Sequence, residues 1–219
     1  MLFEARAAAA GPPDTDVGRD TTIRRYAVRR NILTAAKQRF ARRGYEHVTL
    51  QQIARDAGMD WRDFVVYFRD KRALLTAVLD DAWDDLLPRL NDIMSGSITA
   101  HSALLSMFAF MTNALHKDEE LGCLLLFEGR RSNPEAGEIG LSGGYHRFMQ
   151  VCRDLVARGQ RDGSFRSTYH PSVAASMLVG ALEGMLRDRL VAAQERSTTP
   201  YNGTYLMQAF DALVTSLKN

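Results

Sequence analysis

The side chains that most often perform catalysis or bind metals, histidine and cysteine, are not spaced for either role in this sequence. The chain of 219 residues has five histidines and two cysteines. No two histidines stand four apart around a glutamate, as in a helical zinc site, and no cysteine belongs to a CxxC pair. The segment 142–145 lacks the GxSxG frame of a nucleophile elbow. The sequence therefore predicts no metal site, no cofactor and no enzyme. The residues considered are His47, His101, His116, His146, His170, Cys123 and Cys152.

Binding to phosphate groups is the chemistry that the arginines and lysines indicate. Residues 21–75 carry thirteen basic and five acidic side chains, a net charge of +8, whereas residues 76–219 carry −4 and residues 1–20 carry −2. A solvated surface accounts for scattered charges, but an excess concentrated in one short segment favours a polyanionic partner.

A helix is predicted to carry the first of these basic residues. Apolar side chains recur with helical spacing at Ile32, Ala36 and Phe40, so we expect a helix from residue 21 or 22 to about residue 43. Gly44 follows and is expected to end the helix. Residues 1–20, which precede this helix, are rich in alanine, glycine, proline and aspartate, and this composition predicts a disordered tail.

Two short helices are predicted next. Thr49 and Gln52 have the spacing of a capping box, which predicts a helix over residues 50–57. Asp60 is expected to cap a third helix over residues 61–68. Two short helices joined by a glycine-containing turn have the layout of a helix-turn-helix.

The chain resembles the tetracycline-repressor (TetR/AcrR) family of transcription regulators over about 45 residues, a fifth of its length. The resemblance is carried by ILTAAKQRF at 32–40, VTLQQIA at 48–54, FVVYF at 64–68 and KRALL at 71–75. It implies an all-α protein, in which an N-terminal three-helix helix-turn-helix domain is joined to a C-terminal helical bundle for ligand binding and dimerisation.

This organisation gives a disordered N-terminal tail at 1–20, a DNA-binding domain at 21–71 and a helical ligand-binding and dimerisation domain at 72–219. No flexible linker is expected between the domains, because a long helix is predicted to begin just after residue 71. The helices expected after that point cover about 72–94, 99–116, 118–130, 142–161, 171–194 and 205–217.

The resemblance implies that the third helix enters the major groove of double-stranded operator DNA. Arg62 could then bind a guanine edge, Gln51 an adenine, and Val65 a thymine methyl. Two interpretations of Trp61 remain open, a base contact and partial burial. The arginines early in the first helix could likewise either contact DNA or be solvated. The positions carried over are Gln51, Trp61, Arg62, Asp63 and Val65 for bases, and Thr49, Tyr67 and Lys71 for phosphates.

The family resemblance also implies a hydrophobic small-molecule effector within the C-terminal bundle. Methionine and phenylalanine at helical spacing are equally the residues of an ordinary core, so both interpretations stay open. The segment 127–133 is similar to one in family members that sense acyl-CoA, and its arginines could meet CoA phosphates. A charged helix end explains the same arginines. The candidate lining residues are Phe108, Met111, Phe127, Arg130, Phe148, Met149, Cys152 and Met177.

A homodimer is implied through the last two helices, where small residues allow close helix approach. Two subunits would place two recognition helices about one DNA turn apart on a near-palindromic operator. The ligand would favour a state in which the helix after residue 71 swings and the spacing no longer fits. The small residues are Ala174, Ala175, Gly180, Ala181 and Gly184.

Two alternatives remain open at this point. One is a ligand-independent DNA-binding protein whose C-terminal domain only dimerises, and a solid core would favour it over a cavity of several hundred Å³. The other is a helical enzyme, which would need a cleft with convergent titratable residues, and the sequence offers no such set. The low cysteine count predicts a reducing cytoplasm, and no apolar run is long enough to predict a membrane span.

Overall fold

Helices make up nearly all of the described chain, as predicted. The computed structural model describes residues 15–128, 132–133, 138–139, 141–195 and 203–218. A two-residue antiparallel pair, which the sequence did not predict, joins Ser132–Asn133 (β1) to Glu138–Ile139 (β2). The helices of these ranges are α1 (Thr15–Arg43), α2 (Leu50–Asp56), α3 (Trp61–Tyr67), α4 (Lys71–Gly96), α5 (Ala100–Lys117), α6 (Glu119–Glu128), α7 (Gly143–Arg161), α8 (Pro171–Gln194) and α9 (Gly203–Thr215).

The first helix begins earlier than the sequence predicts. α1 starts at Thr15 rather than at residue 21 or 22, so the end of the expected disordered tail is helical. The last prolines upstream are Pro12 and Pro13, and no proline interrupts the backbone hydrogen bonds between Thr15 and Arg43. The rest of the expected tail, residues 1–14, lies outside the described residues.

The first three helices enclose a small apolar core. Ile32, Phe40, Ile53 and Phe64 are each at most 2% exposed. Because α2 and α3 have only seven residues each, they depend on this shared core rather than on their own helical hydrogen bonds for stability. The position of α3 is thus fixed by packing against α1 and α2.

The helices from α4 onward form a larger bundle with aromatic contacts between its layers. The Trp83 ring of α4 stacks on Phe148 of α7 with centroids 5.1 Å apart. Phe108 of α5 stacks on Phe210 of α9 at 4.0 Å. α4 runs from Lys71 to Gly96 without interruption, so the first domain is joined to the bundle by a continuous helix, as expected.

None of the helices in the described ranges is both long and apolar enough to span a bilayer.

Candidate nucleic-acid interface

Two side-chain caps fix the geometry of the helix-turn-helix, and both agree with the sequence prediction. The Thr49 hydroxyl oxygen accepts from the Gln52 amide at 3.3 Å, and Gln52 Oε1 accepts from the Thr49 amide at 3.0 Å. Asp60 Oδ1 accepts from the Arg62 amide at 2.8 Å. Between the two caps, Gly58 has a φ of 65°, a left-handed conformation that glycine adopts without strain. The direction of α3 relative to α2 is therefore set by local hydrogen bonds.

One side of α3 faces outward. Trp61, Arg62 and Asp63 are exposed, and Val65 is half-buried. Val66 is 67% exposed, although it was not among the predicted contacts. It lies one helical turn after Arg62, on the same side of the helix. The outward side of α3 therefore carries an exposed cation, Arg62, beside an exposed apolar side chain, Val66.

Trp61 is both packed and accessible. Its ring stacks on Phe64 with centroids 5.8 Å apart and planes 15° from parallel. The residue nevertheless remains 39% exposed. One surface of the ring therefore completes the domain core, while the rest is open to a ligand.

Lys71 is bound to the loop between α1 and α2. Its ammonium group donates to the carbonyl oxygens of Tyr45 at 2.9 Å and Val48 at 3.1 Å. It also lies 4.3 Å from the centroid of the Tyr45 ring, a cation–π contact. The structure thus gives Lys71 a positioning role that the sequence did not predict. A direct phosphate contact from Lys71 stays a prediction.

The remaining predicted contacts flank this cluster. Thr49 and Gln51 are exposed at the start of α2, and Tyr67 is half-buried at the end of α3. Because Lys71 binds the carbonyl that precedes Thr49, the starts of α2 and α4 are held together.

An arginine–aspartate pair fastens α1 to the end of α2. The Arg39 guanidinium binds the Asp56 carboxylate through two nitrogens, and Nη2 lies 2.8 Å from Oδ1. The hydrogen bond from Arg39 lowers the pKa of Asp56 below its usual value. Asn31 adds a hydrogen bond to the carbonyl of Ala57 at 2.8 Å. These contacts therefore hold the end of α2 against α1.

Two ion pairs connect α1 to the C-terminal bundle. Lys37 Nζ lies 2.5 Å from Asp118 Oδ2, just before α6, and Arg42 Nε lies 2.9 Å from Glu120 Oε1 within it. Burial acts to raise the pKa of Asp118, but hydrogen bonds from Lys37 and the Leu121 amide outweigh it and lower the pKa. The bundle thus contacts the first three helices through α6 as well as through α4.

Four of the predicted ligand-binding residues surround one small apolar cavity. Phe108, Met111, Phe148 and Cys152 line it, together with residues of α8 and α9. Its volume is about 20 Å³, roughly room for one water and far below the 300–1,000 Å³ of a typical ligand pocket. Burial raises the pKa of the Cys152 thiol to about 12, so this cysteine is an inert core residue. In this conformation the four residues form a nearly filled core.

The other predicted ligand contacts lie elsewhere. Met177 is 45% exposed on α8 and is absent from the cavity, because the adjacent Leu178 and Val179 turn inward instead. Met149 is half-buried and packs on the core without lining the cavity. The side chain of Phe127 and the whole of Arg130 lie outside the described residues, so the acyl-CoA interpretation of their segment stays a prediction.

An exposed stripe of small and apolar residues runs along α8. Val173 is 54% exposed and Val191 45% exposed, and a Cβ atom added at Gly180 would meet nothing within 4 Å. Val173, Met177, Gly180 and Gly184 follow one another at spacings of four, three and four, and Val191 lies seven residues further on. The positions first expected there, Ala174 and Ala175, are instead buried in the chain's own core.

The comparisons with known proteins agree about the type of protein. Residues 32–78 match the family model described as "Bacterial regulatory proteins, tetR family". The chain is similar to the fatty acid metabolism regulator protein of Bacillus subtilis, with 22% identity over 156 residues that cover 69% of this chain and 78% of the relative. It is also similar to the transcriptional repressor KstR2 of Rhodococcus jostii, with 24% identity covering 73% and 78% of the two chains.

The fold agrees with a solved structure along almost its whole length. The crystal structure of FadR from Bacillus subtilis in complex with stearoyl-CoA superposes with a TM-score of 0.72. The match covers 86% of this chain and 97% of that one, at 18% sequence identity. At this identity the likeness establishes the fold and not the ligand.

Proposed function

We propose that this chain, whose residues 32–78 match the tetR family model and whose curated relatives are regulators rather than enzymes, is an operator-binding repressor of that family. The outward side of α3 is the observation that carries the proposal. Arg62 stands there with its guanidinium exposed and only its backbone amide used in a cap. A free guanidinium has the fork that binds the O6 and N7 atoms of guanine.

The recognition helix is proposed to read bases through Arg62 and its neighbours. Val66, the most exposed apolar side chain of α3, suits a thymine methyl better than the half-buried Val65. Gln51 is proposed to contact a base from α2. The flanking phosphates would be bound or positioned by Thr49, Tyr67 and Lys71. Asp63 next to DNA is favourable where it accepts from a cytosine amine or pairs with Arg62.

A homodimer through α8 and α9 is the proposed assembly. The α8 stripe is unusually apolar for a surface, and its glycines allow two helix backbones to approach closely. Alternating spacings of three and four give a seven-residue repeat, the pattern with which helices pack at small crossing angles. Two subunits would then present two α3 helices to a palindromic operator. A cytoplasmic location remains a prediction from the cysteine count.

The proposed signal is a lipophilic effector that releases the repressor. The relatives support this class of ligand, since one is a fatty acid metabolism regulator and a neighbour with this fold was solved with stearoyl-CoA. Because the cavity that Phe108, Met111, Phe148 and Cys152 line has only about 20 Å³ free, a ligand at that place must bind a state in which the helices have separated. A ligand that binds only this state shifts the population toward it, and α4 and α6 would carry the change to the DNA-binding domain.

The filled core also favours a second candidate, a repressor that needs no small ligand. In that case the bundle only dimerises. The two candidates are separated by adding stearoyl-CoA to the protein bound to its DNA. Effector control predicts release of the DNA and a higher melting temperature of the free protein, whereas the ligand-independent candidate predicts no change in either.

Selection of bound sequences from random duplex DNA tests the DNA-binding proposal directly. The wild type is expected to enrich a near-palindromic site. Arg62→Ala should cost about 1–3 kcal/mol at its base position and relax the preference there. Arg72→Ala is a matched control, because it removes an exposed arginine outside α3. Failure of the wild type to select any sequence at low salt would overturn the proposed function.

A further inference from the structure

Arg158, near the end of α7, holds a positive charge inside the protein that is only partly satisfied. Its Nη1 atom donates to the carbonyl oxygen of Met94, in the last turn of α4, at 3.0 Å. Its Nε and Nη2 atoms are buried and have no hydrogen-bond partner among the described residues. Buried polar groups without a partner are uncommon in folded proteins, so these two donors require an explanation.

The carboxylates that follow and precede Arg158 by one helical turn do not balance its charge. Asp154 accepts from the Gln150 side chain at 2.8 Å, and Asp162 accepts from the Ser164 amide at 3.0 Å. Hydrogen bonds from Ser164 lower the pKa of Asp162, and the charge of Arg158 does so to a smaller extent. Arg158 forms no ion pair with a described residue. Because a buried charge without a counter-ion costs free energy, this guanidinium suits an anion.

The two unpartnered atoms are the pair that binds a carboxylate side-on. Nε and Nη2 of a guanidinium carry parallel N–H groups, which match the two oxygens of one carboxylate. Arg39 uses this same pair for Asp56, with Nη2 2.8 Å from Oδ1 and Nε bound to Oδ2. The free donors of Arg158 therefore match a single carboxylate.

Arg158 lies at the edge of the apolar face of α7, near the C-terminal end of the helix. Phe148 and Cys152 of this face line the small cavity, and Leu155, which is 1% exposed, continues the face toward Arg158. The rise of an α-helix places Arg158 about 9 Å beyond Cys152 along the axis. A ligand whose apolar chain lay near the cavity could therefore reach Arg158 with a polar end.

We propose that Arg158 binds the carboxylate of an amphipathic effector, an acid with an apolar chain. One carboxylate balances one guanidinium, so the buried pair would be neutral, whereas the several phosphate charges of a CoA group would not be balanced there. Because Nε and Nη2 are buried, the acid must bind the state in which the helices have separated. This inference deepens the proposed control by a lipophilic effector and rests on it.

The remaining donor of Arg158 would connect the ligand to α4. Nη1 binds the Met94 carbonyl, and α4 continues without interruption from there back to Lys71. A carboxylate on Nε and Nη2 leaves the Nη1 hydrogen bond in place, because it uses different atoms. One side chain would thus contact both the effector and the helix that leads to the DNA-binding domain.

Calorimetric titration of the full chain with laurate, methyl laurate and lauroyl-CoA tests the proposal. The methyl ester keeps the apolar chain of laurate and removes its charge, and the CoA thioester replaces the carboxylate by a bulky polyanion. Arg158→Met removes the charge at a similar side-chain length, and Arg158→Lys keeps the charge without the fork. Arg161→Met is the matched control, because Arg161 is an exposed arginine in the same turn of α7.

The wild type should bind laurate at least about tenfold more tightly than methyl laurate, since charge-assisted hydrogen bonds contribute on this scale. Arg158→Met should lose that factor for laurate and bind the ester as the wild type does. Arg158→Lys should regain part of the affinity, and Arg161→Met should retain all of it.

Thermal melts without ligand separate this role from a structural one. Removal of a buried charge that lacks a counter-ion should leave the melting temperature of Arg158→Met unchanged or raise it. A residue that served only to hold the end of α4 would instead lower the melting temperature and leave laurate affinity unchanged, which would overturn the proposal.

Three further results would overturn the proposal. These are equal affinities of the wild type for laurate and its ester, an Arg158→Met variant that binds laurate as tightly as Arg161→Met, and a preference for lauroyl-CoA over laurate. A wild type that selects an operator but binds none of the three probes would overturn this inference and leave DNA binding intact. A wild type that selects no DNA sequence would overturn the proposed function instead.

Discussion

Lys71 connects two elements of the DNA-binding domain through one ammonium group. It belongs to the first turn of α4, yet its donors satisfy the carbonyls of Tyr45 and Val48 in the loop between α1 and α2. Hydrogen bonds that involve a charged donor contribute more than neutral ones. The loop that leads into α2 is therefore held from the opposite end of the domain.

Replacing Lys71 by alanine should destabilise the fold as well as weaken DNA binding. Removal of two charge-assisted hydrogen bonds predicts a decrease in the free energy of unfolding of about 2 kcal/mol. Urea unfolding followed by circular dichroism measures it. Arg72→Ala, at the next and exposed position, should change stability by less than about 0.5 kcal/mol. Equal stability of the two variants would contradict the positioning role.

Residue-level predictions succeeded where the interaction is local in sequence. The Thr49–Gln52 box and the Asp60 cap each join residues two or three apart, so the spacing alone predicts them. The Lys71 contacts span 23 to 26 residues, and no local pattern encodes them. The resemblance indicated Val65, whereas Val66 is the more exposed of the two, because exposure depends on how α3 packs.

At the scale of elements, α4 and α7 are locked together at one glycine. A Cβ atom placed on Gly144 would lie 2.2 Å from Cβ of Trp83, a distance that side chains do not reach. Trp83 cannot withdraw easily, because its ring stacks on Phe148. Since α4 also carries the first turn that Lys71 anchors, this contact sets how the bundle holds the DNA-binding domain.

Gly144→Ala should push the two helices apart. Overpacking of a buried contact predicts a loss of about 3 kcal/mol in the free energy of unfolding, and the shift of α4 should lower operator affinity. The neighbouring Gly143→Ala is the matched control, because its added methyl meets nothing closer than 3.7 Å. Thermal melts of both variants, followed by operator titration, measure the two effects. Identical melts would mean that the helices adjust freely.

Helix ends were predicted well where a cap or breaker stands in the sequence, and poorly elsewhere. α8 covers the predicted residues, starting at Pro171, and Gly44 ends α1 with a φ of 76°. The start of α1 at Thr15 has no such signal. The prediction that Ala174 and Ala175 of α8 lie at the interface between subunits was also wrong. Small residues suit both an intrachain core and an interface, so their type does not distinguish the two.

At the scale of the whole molecule, the contact between the domains depends on pH through Asp118. Its pKa is lowered in the folded protein, so its contribution to stability is present above the unfolded pKa, about 3.9. That contribution is lost as the pH falls through the lower folded value. Acid should therefore loosen the contact between α1 and α6.

Asp118→Asn should reduce stability at pH 7 and converge with the wild type below about pH 4. Urea midpoints at pH 7, 5 and 3.5 measure the difference, which is expected to shrink only at the lowest pH. Asp92→Asn removes an exposed carboxylate on α4 and serves as the control. A difference that stays constant down to pH 3.5 would mean that Asp118 acts only as a helix cap, without its charge.

Binding to a palindromic operator is proposed to require a dimer formed through the α8 stripe. Met177→Asp places a charge in the middle of the proposed interface, where desolvation of an unpaired carboxylate opposes association. Light scattering should then report a monomer, and operator affinity should fall because each monomer holds only one half-site. Asn113→Asp adds the same charge on an exposed position of α5 and should remain dimeric. A dimeric Met177→Asp protein would place the interface on another face, since no dimer through this stripe could bury that charge without a partner.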